Sequence, residues 1–176
     1  MKVSLNQKIL SRNDQCAQKN RDFFAAHGIL CLNIISSPGS GKTTLLARTI
    51  TELNNVLTIG VIEGDIRTDN DARRIRQTGA EAVQIETEGA CHLSAEQVAG
   101  ALGAMNSAAK DIIFIENVGN LVCPSAFNLG EAGRVVVRLA HPETQDRRSH
   151  VINVPTAAIG LFEEHIGDCR RGVFAI

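Results

Sequence analysis

The sequence predicts a three-layer α/β domain with a mainly parallel sheet, and three observations carry that expectation. Short β-branched apolar runs alternate with helical stretches along the chain, as strand–helix–strand units do. The runs are nearly continuous in apolar residues, which suits strands covered on both faces. The polar residues with chemical potential fall just after the runs, at the carboxyl edge of the sheet, where ligands collect in such folds.

Taken in order, Leu5–His27 predicts a helix with apolar positions at Leu5, Ile9, Ala17 and Phe24, and Gly28 as its stop. Strand-like runs follow at residues 29–35, 56–62, 82–85 and 111–115, with helices predicted at 42–53, 70–78 and 93–109. Residues 134–140 fit a further strand. The four edges then carry residues 36–44, 63–69, 87–92 and 116–123. This divides the chain into an N-terminal helix (1–28), a domain core (29–140) and a tail (141–176).

A chain of 176 residues is long enough for one domain with a core and too short for two comfortable ones. A net charge of −1 gives no electrostatic footprint for nucleic acid or an anionic membrane. Aromatics at 3%, without Trp or Tyr, remove base-stacking platforms as well. The N-terminus lacks an apolar leader, and no run nears the roughly 20 apolar residues of a membrane helix. A cytoplasmic location is therefore expected. Five cysteines, an odd number at irregular spacing, read as reduced thiols or metal ligands rather than a disulfide framework.

Residues 36–44 read Ser-Ser-Pro-Gly-Ser-Gly-Lys-Thr-Thr between a predicted strand and a predicted helix, the setting a phosphate-binding loop requires. Glycines let backbone N–H groups turn toward phosphate oxygens, and the helix N-terminus adds its dipole. Gly39, Ser40, Gly41, Lys42, Thr43 and Thr44 are the expected contacts. Lys42 would reach the terminal phosphates and Thr43 would bind Mg²⁺. Ser36 occupies the slot that usually holds the first glycine. Asp65 and Asp69 are candidates for positioning water, although Asp69 or Asn70 also suits the cap of the next helix. Glu116 ends an apolar strand and precedes Gly119, the place of a magnesium-holding carboxylate.

Cys91-His92 follows the third strand and Cys123 the fourth. Two thiolates and an imidazole suit Zn²⁺ or Ni²⁺, while buried thiols acting as small hydrophobes remain the alternative. Three ligands leave such a site incomplete. Water, another protein group or a symmetry-related chain would complete it.

Asn13-Asp14, Asn20-Arg21, residues 36–44 and 61–65, Thr68-Asp69-Asn70-Asp71-Ala72, Cys91-His92-Leu93, residues 115–124 and Leu129-Gly130-Glu131 resemble the HypB family, the hydrogenase nickel-incorporation GTPases. The resemblance runs over residues 5–137. It implies a SIMIBI-class P-loop NTPase (G) domain that binds GTP and Mg²⁺, with Lys42, Asp65, Asp69 and Glu116 serving hydrolysis. It also implies nucleotide-dependent homodimerisation, with a Ni²⁺ (or Zn²⁺) site of Cys91, His92 and Cys123 at the dimer interface. Expected partners are a HypA-type nickel chaperone and the large-subunit precursor of a [NiFe] hydrogenase. The urease nickel GTPase is similar in fold but usually carries Cys-Pro-His, whereas Cys91 and His92 are adjacent here.

Departures from the family pattern are Asn128 and Ser94 in place of Asp, the Glu86-Thr87-Glu88 loop, and the absence of an N-terminal cysteine-rich nickel site and histidine-rich tracts. Past Val137 the resemblance is expected to stop, because residues 138–176 hold no Asn-Lys-x-Asp guanine motif. Two alternatives follow: a nucleotide-impaired Ni/Zn-binding module, or an ATPase or kinase-like protein whose thiols are core. A C-terminally incomplete G domain is then expected, arising from a reading-frame change or a degenerate gene, and a frame change predicts that the other frames of the locus encode Asn-Lys-x-Asp. Translating them tests this, and its absence there removes the explanation.

Overall fold

The computed structural model describes residues 5–65, 70–87, 89–137 and 150–153, with side chains described for 9–64, 72–87 and 89–137. Along the chain run α1 (Leu5–His27), β1 (Leu30–Ser36), α2 (Lys42–Leu53), β2 (Ile59–Asp65), α3 (Asn70–Arg76), β3 (Glu81–Glu86), α4 (Ala95–Ala104), β4 (Ile112–Glu116), α5 (Cys123–Ala126), β5 (Gly133–Val137) and β6 (His150–Asn153). The sheet order is β3-β2-β4-β1-β5-β6. The first five strands run parallel to their neighbours, and β6 pairs antiparallel with β5.

Successive strand residues feed opposite faces, as the period of two demands. Cys31, Ile62, Ile113 and Ile115 join Phe24, Leu93, Val98 and Leu102 on the α1/α4 face. Leu30, Ile34, Ile59, Val61, Ile112 and Phe114 join Leu46, Ile50 and Ile75 on the α2/α3 face. Two cores back to back around one sheet give the three layers the apolar runs predicted. Ile34 of β1 stands opposite Glu116 of β4, so the loops after the two central strands leave the sheet side by side.

The contact face of α1 is polar as well as apolar. Ala17 and Phe24 are buried, but so are Asn13 and Asn20. Asn13 donates to the Asn128 carbonyl at 2.7 Å and accepts from the Ala95 N–H at 2.9 Å. Asn20 donates to the carbonyls of Ala95 and Leu129, each at 2.9 Å. These carboxamides satisfy backbone groups at the start of α4 and in the loop before β5, where burial would otherwise leave them unpaired. Ile9, expected on the apolar face, is 48% exposed, because the helix docks through the Asn13–Ala17–Asn20–Phe24 stripe. Close approach also needs Gly130. Its φ is +94°, and an added Cβ would lie 2.5 Å from the Ala17 carbonyl oxygen.

Several boundaries shift from expectation for local reasons. The helix predicted at 93–109 starts after Ser94, which forms a capping box with Gln97. It ends at Ala104, and a separate 3₁₀ turn covers Ser107–Ala109. The strand predicted at 56–62 begins at Ile59, because α2 closes through N–H groups of Val56 and Leu57 bonded to the Leu53 carbonyl. Neither α5 nor β6 was expected from periodicity, both being only four residues long. The segment 138–140 of the fifth predicted strand lies outside the described residues.

Gly130→Ala is expected to destabilise the fold by at least about 2 kcal/mol, from left-handed strain and the clash with α1. Gly100→Ala, in α4 with open space around its Cβ position, should instead stabilise by about 0.5–1 kcal/mol. Denaturant midpoints check both. Equal effects would refute the docking argument.

Candidate functional site

The loop from β1 to α2 takes its shape from two left-handed glycines, Gly39 (φ +73°) and Gly41 (φ +87°), the latter capping α2. Open space surrounds both, so backbone conformation is what requires glycine there. The first N–H groups of the 12-residue α2 point into the loop, which suits an anion. Lys42 and Thr43 are buried, and Thr44 begins the exposed side of the helix, where its hydroxyl accepts from the Arg74 guanidinium at 3.0 Å.

Ser36, the residue in the unusual slot, is fully buried. Its hydroxyl accepts from Lys42 Nζ at 3.0 Å and from the Ser40 hydroxyl, and donates to the Ser37 carbonyl at 2.8 Å. One donor and two lone pairs are thereby used in full. A glycine there could not hold the ammonium group in this way.

Thr43 Oγ1, in the first turn of α2, donates to Glu116 Oε1 at the end of β4 at 2.7 Å. The hydroxyl and carboxylate expected to share magnesium therefore already meet, and an all-oxygen donor pair beside a phosphate loop fits that hard cation. Glu63 is buried on β2 in register with Glu116, within the strand rather than on the edge segment 63–69 where the sequence had placed it. Asp65 ends β2, but its side chain, and all of Asp69, lie outside the described residues.

The loop after Glu116 rests directly on the phosphate loop. An added Cβ at Gly119 would stand 3.1 Å from Pro38 Cα and Cγ. The backbone of Asn120 bridges Ser36, while its Oδ1 accepts from the Val122 N–H at 2.8 Å and the Cys123 N–H at 3.4 Å. Cys123 thus opens α5 with Pro124 behind it, an N-terminal position that proline tolerates.

Cys91, His92 and Cys123, predicted from spaced motifs, come together: their ligand atoms all lie within 4.8 Å of one another. Cys91 Sγ is 3.6 Å from His92 Nδ1. The His92 ring stacks on Phe127 with centroids 3.8 Å apart. Two sulfurs and an imidazole nitrogen fit Zn²⁺ or Ni²⁺. Hydrogen bonding to Cys123, then burial and the charge of the same thiol, raises the Cys91 pKa. Burial lowers that of His92 and favours the neutral, ligating imidazole. Cys31 is different: fully buried, its pKa is raised well above the ordinary value by burial and then by Glu131, and it packs as core. Cys16 is half-buried on α1 and outside the cluster.

Sequence reading missed a buried polar chain beneath this cluster. Asn117 Oδ1 accepts from the Leu93 N–H at 3.2 Å, and Asn117 Nδ2 donates to Asn33 Oδ1 at 3.2 Å. Asn33 Nδ2 donates to Glu131 Oε1 at 3.3 Å, and Arg134 Nε donates to the same oxygen at 2.6 Å. Arg134 then donates to the carbonyls of Ser125 (2.6 Å) and Phe127 (2.9 Å). The available signal was Asn33, a carboxamide inside an otherwise apolar strand run. The two Asp replacements are also explained. Ser94 caps α4 as Asp would, and Asn128 Oδ1 accepts from Gly130 N–H and Arg21.

The sequence profile described as "CobW/HypB/UreG, nucleotide-binding domain" matches residues 30–156. It extends past Val137, where the resemblance had been expected to stop. The hydrogenase maturation factor HypB of Rhizobium leguminosarum bv. viciae is 52% identical over 145 residues, 82% of this chain and 48% of that protein. The chain spans about half the length of the curated relatives it matches. The crystal structure of HypB from Helicobacter pylori in complex with nickel is 43% identical, with a TM-score of 0.65 over 71% of this chain and 59% of that one. Hydrogenase maturation factor HypB from Archaeoglobus fulgidus is 41% identical, with a TM-score of 0.67 over 73% of this chain and 62% of that one.

Phe127→Ala frees the His92 ring and is expected to weaken Zn²⁺ or Ni²⁺ binding by about 0.5–1.5 kcal/mol, roughly 2- to 10-fold. Competition titration against a chromogenic chelator measures it. Unchanged affinity would mean that the stack does not orient the imidazole.

Proposed function

We propose, from the premise that this chain belongs to the CobW/HypB/UreG family of nucleotide-binding domains and stands with its HypB members, that it binds and hydrolyses GTP to control a nickel site. The nickel is cargo, destined for the large-subunit precursor of a [NiFe] hydrogenase. A HypA-type chaperone and a second copy of this chain are the proposed partners. The second copy would complete the three-ligand set of Cys91, His92 and Cys123. No helix among the described residues is long and apolar enough to cross a membrane, and we place the work in the cytoplasm.

The observation that carries this reading is the short path from phosphate loop to thiol: Ser36 to the Asn120 backbone, and the Asn120 side chain to the Cys123 N–H. Ser36 also holds Lys42. An incoming phosphate competes for that ammonium group, so nucleotide binding perturbs the residue against which the Cys123 loop is paired.

In the proposed reaction, Lys42 and the first-turn N–H groups of α2 bind the phosphates, with Gly39, Ser40, Gly41 and Thr44 shaping the cradle. Thr43 and Glu116 would hold Mg²⁺, which supplies neutralisation of phosphate charge when bound. Asp65 and Asp69 orient the attacking water. Loss of the terminal phosphate returns Lys42 to Ser36, and the loop over residues 116–123 resets with it. Zn²⁺ is the second metal that the donor set admits.

One observation favours a second reading: residues 138–176 contain no Asn-Lys-x-Asp. If no guanine acceptor serves the site, it would bind metal yet discriminate poorly between bases.

Purified protein is expected to turn over GTP in preference to ATP, with Lys42→Ala lowering turnover by about 10²-fold or more. Equal use of both nucleotides would support the second reading. The Cys91→Ala/Cys123→Ala variant should lose its bound nickel in titration. Unchanged nickel stoichiometry would remove the metal function.

A further inference from the structure

The Cys123 arm of the thiol cluster meets the phosphate loop through Asn120. The Cys91–His92 arm follows β3, which lies two positions away from β4 in the sheet order. Its link to the nucleotide side runs through Asn117. That residue follows Glu116 directly and is almost fully buried, while its own N–H is tied to the Ile34 carbonyl at 3.0 Å in continuation of the sheet.

The side chain of Asn117 reaches across to the residue after His92. Its Oδ1 accepts from the Leu93 N–H at 3.2 Å and from its neighbour Val118 N–H at 3.0 Å. Leu93 is itself fully buried, with its side chain packed tightly over Gly64, where an added Cβ would lie 2.9 Å away. The Leu93 backbone therefore has one anchor from below and one from the side. The anchor from the side belongs to the residue adjoining the magnesium carboxylate.

We infer that Asn117 is a positioning residue that holds the Cys91–His92 arm to the end of β4 and makes its placement respond to Glu116 and Thr43. The inference rests on the nucleotide-controlled nickel site proposed above and names the group that carries control to this arm. A buried acceptor serving two N–H donors costs more to lose than a surface bond, because the donors stay buried and unpaired. Asn117→Ala therefore releases the Leu93 backbone.

The test compares nickel dissociation constants with and without magnesium and a non-hydrolysable GTP analogue, using the full chain. Wild-type protein is expected to show a ratio of about 5-fold or more. In Asn117→Ala the ratio falls to about one. Asn20→Ala, which removes a similarly buried carboxamide from the α1 clamp, destabilises the protein but keeps the ratio. A ratio that survives in Asn117→Ala overturns the role of Asn117, as does one lost equally in Asn20→Ala. A wild-type ratio of one overturns the coupled nickel function itself. Should Asn117→Ala fail to fold, hydrogen exchange at the wild-type Leu93 amide decides. Protection must differ between the nucleotide-free and analogue-bound protein, and identical protection overturns the inference.

Discussion

Parallel pairing of β1 with β4, with Ile34 opposite Glu116, is the constraint on which the site depends. It sends two loops out of the same sheet edge side by side. One has the glycine conformations and helix N-terminus that suit an anion, and the other ends in a thiol. From this pairing follow the Thr43–Glu116 hydrogen bond, the packing of Gly119 on Pro38 and the Ser36–Asn120 bridge. A chain that crossed between these strands in another order could keep every motif and lose all three contacts.

Buried carboxamides do much of the positioning around this edge. Asn13, Asn20, Asn33 and Asn117 are all buried, and each has hydrogen-bond partners in backbone or in another buried polar group. Apolar side chains in these places would add non-directional burial. Carboxamides instead fix particular backbone groups in particular places, at a desolvation cost offset only when the network is complete. That trade is reasonable where a few tenths of an ångström decide whether three ligands converge. The Glu131–Arg134 pair, which holds the α5 carbonyls, extends the same logic to a charged group.

Much of the domain was legible in the residues. Two-faced apolar strands, the glycine loop and the placement of polar groups after each strand are local patterns, and local patterns survive in a single sequence. The helix at α4 was legible too, although it was placed two residues too early, because the Ser94/Gln97 cap that sets its start was not read. The α1 helix was read less well. Its apolar positions suggested an ordinary amphipathic face, and the polar stripe that docks it has no hydrophobic period. The strand β6 was illegible for another reason: a run of four residues is too short to show a period, and pairing with β5 is what makes it a strand.

By itself the sequence determined the layered α/β class, the glycine loop between β1 and α2, and two thiols and an imidazole placed just after β3 and β4, because each depends on short-range pattern or residue chemistry. Only the tertiary structure decided that Cys91, His92 and Cys123 lie within one another's reach, although 31 positions separate His92 from Cys123 in the chain. It also decided that Ser36 holds Lys42 and that Asn117 spans the two arms. Those facts depend on strand order and register, which bring distant residues to one edge through the summed packing of both cores. No local signal in the chain encodes that sum.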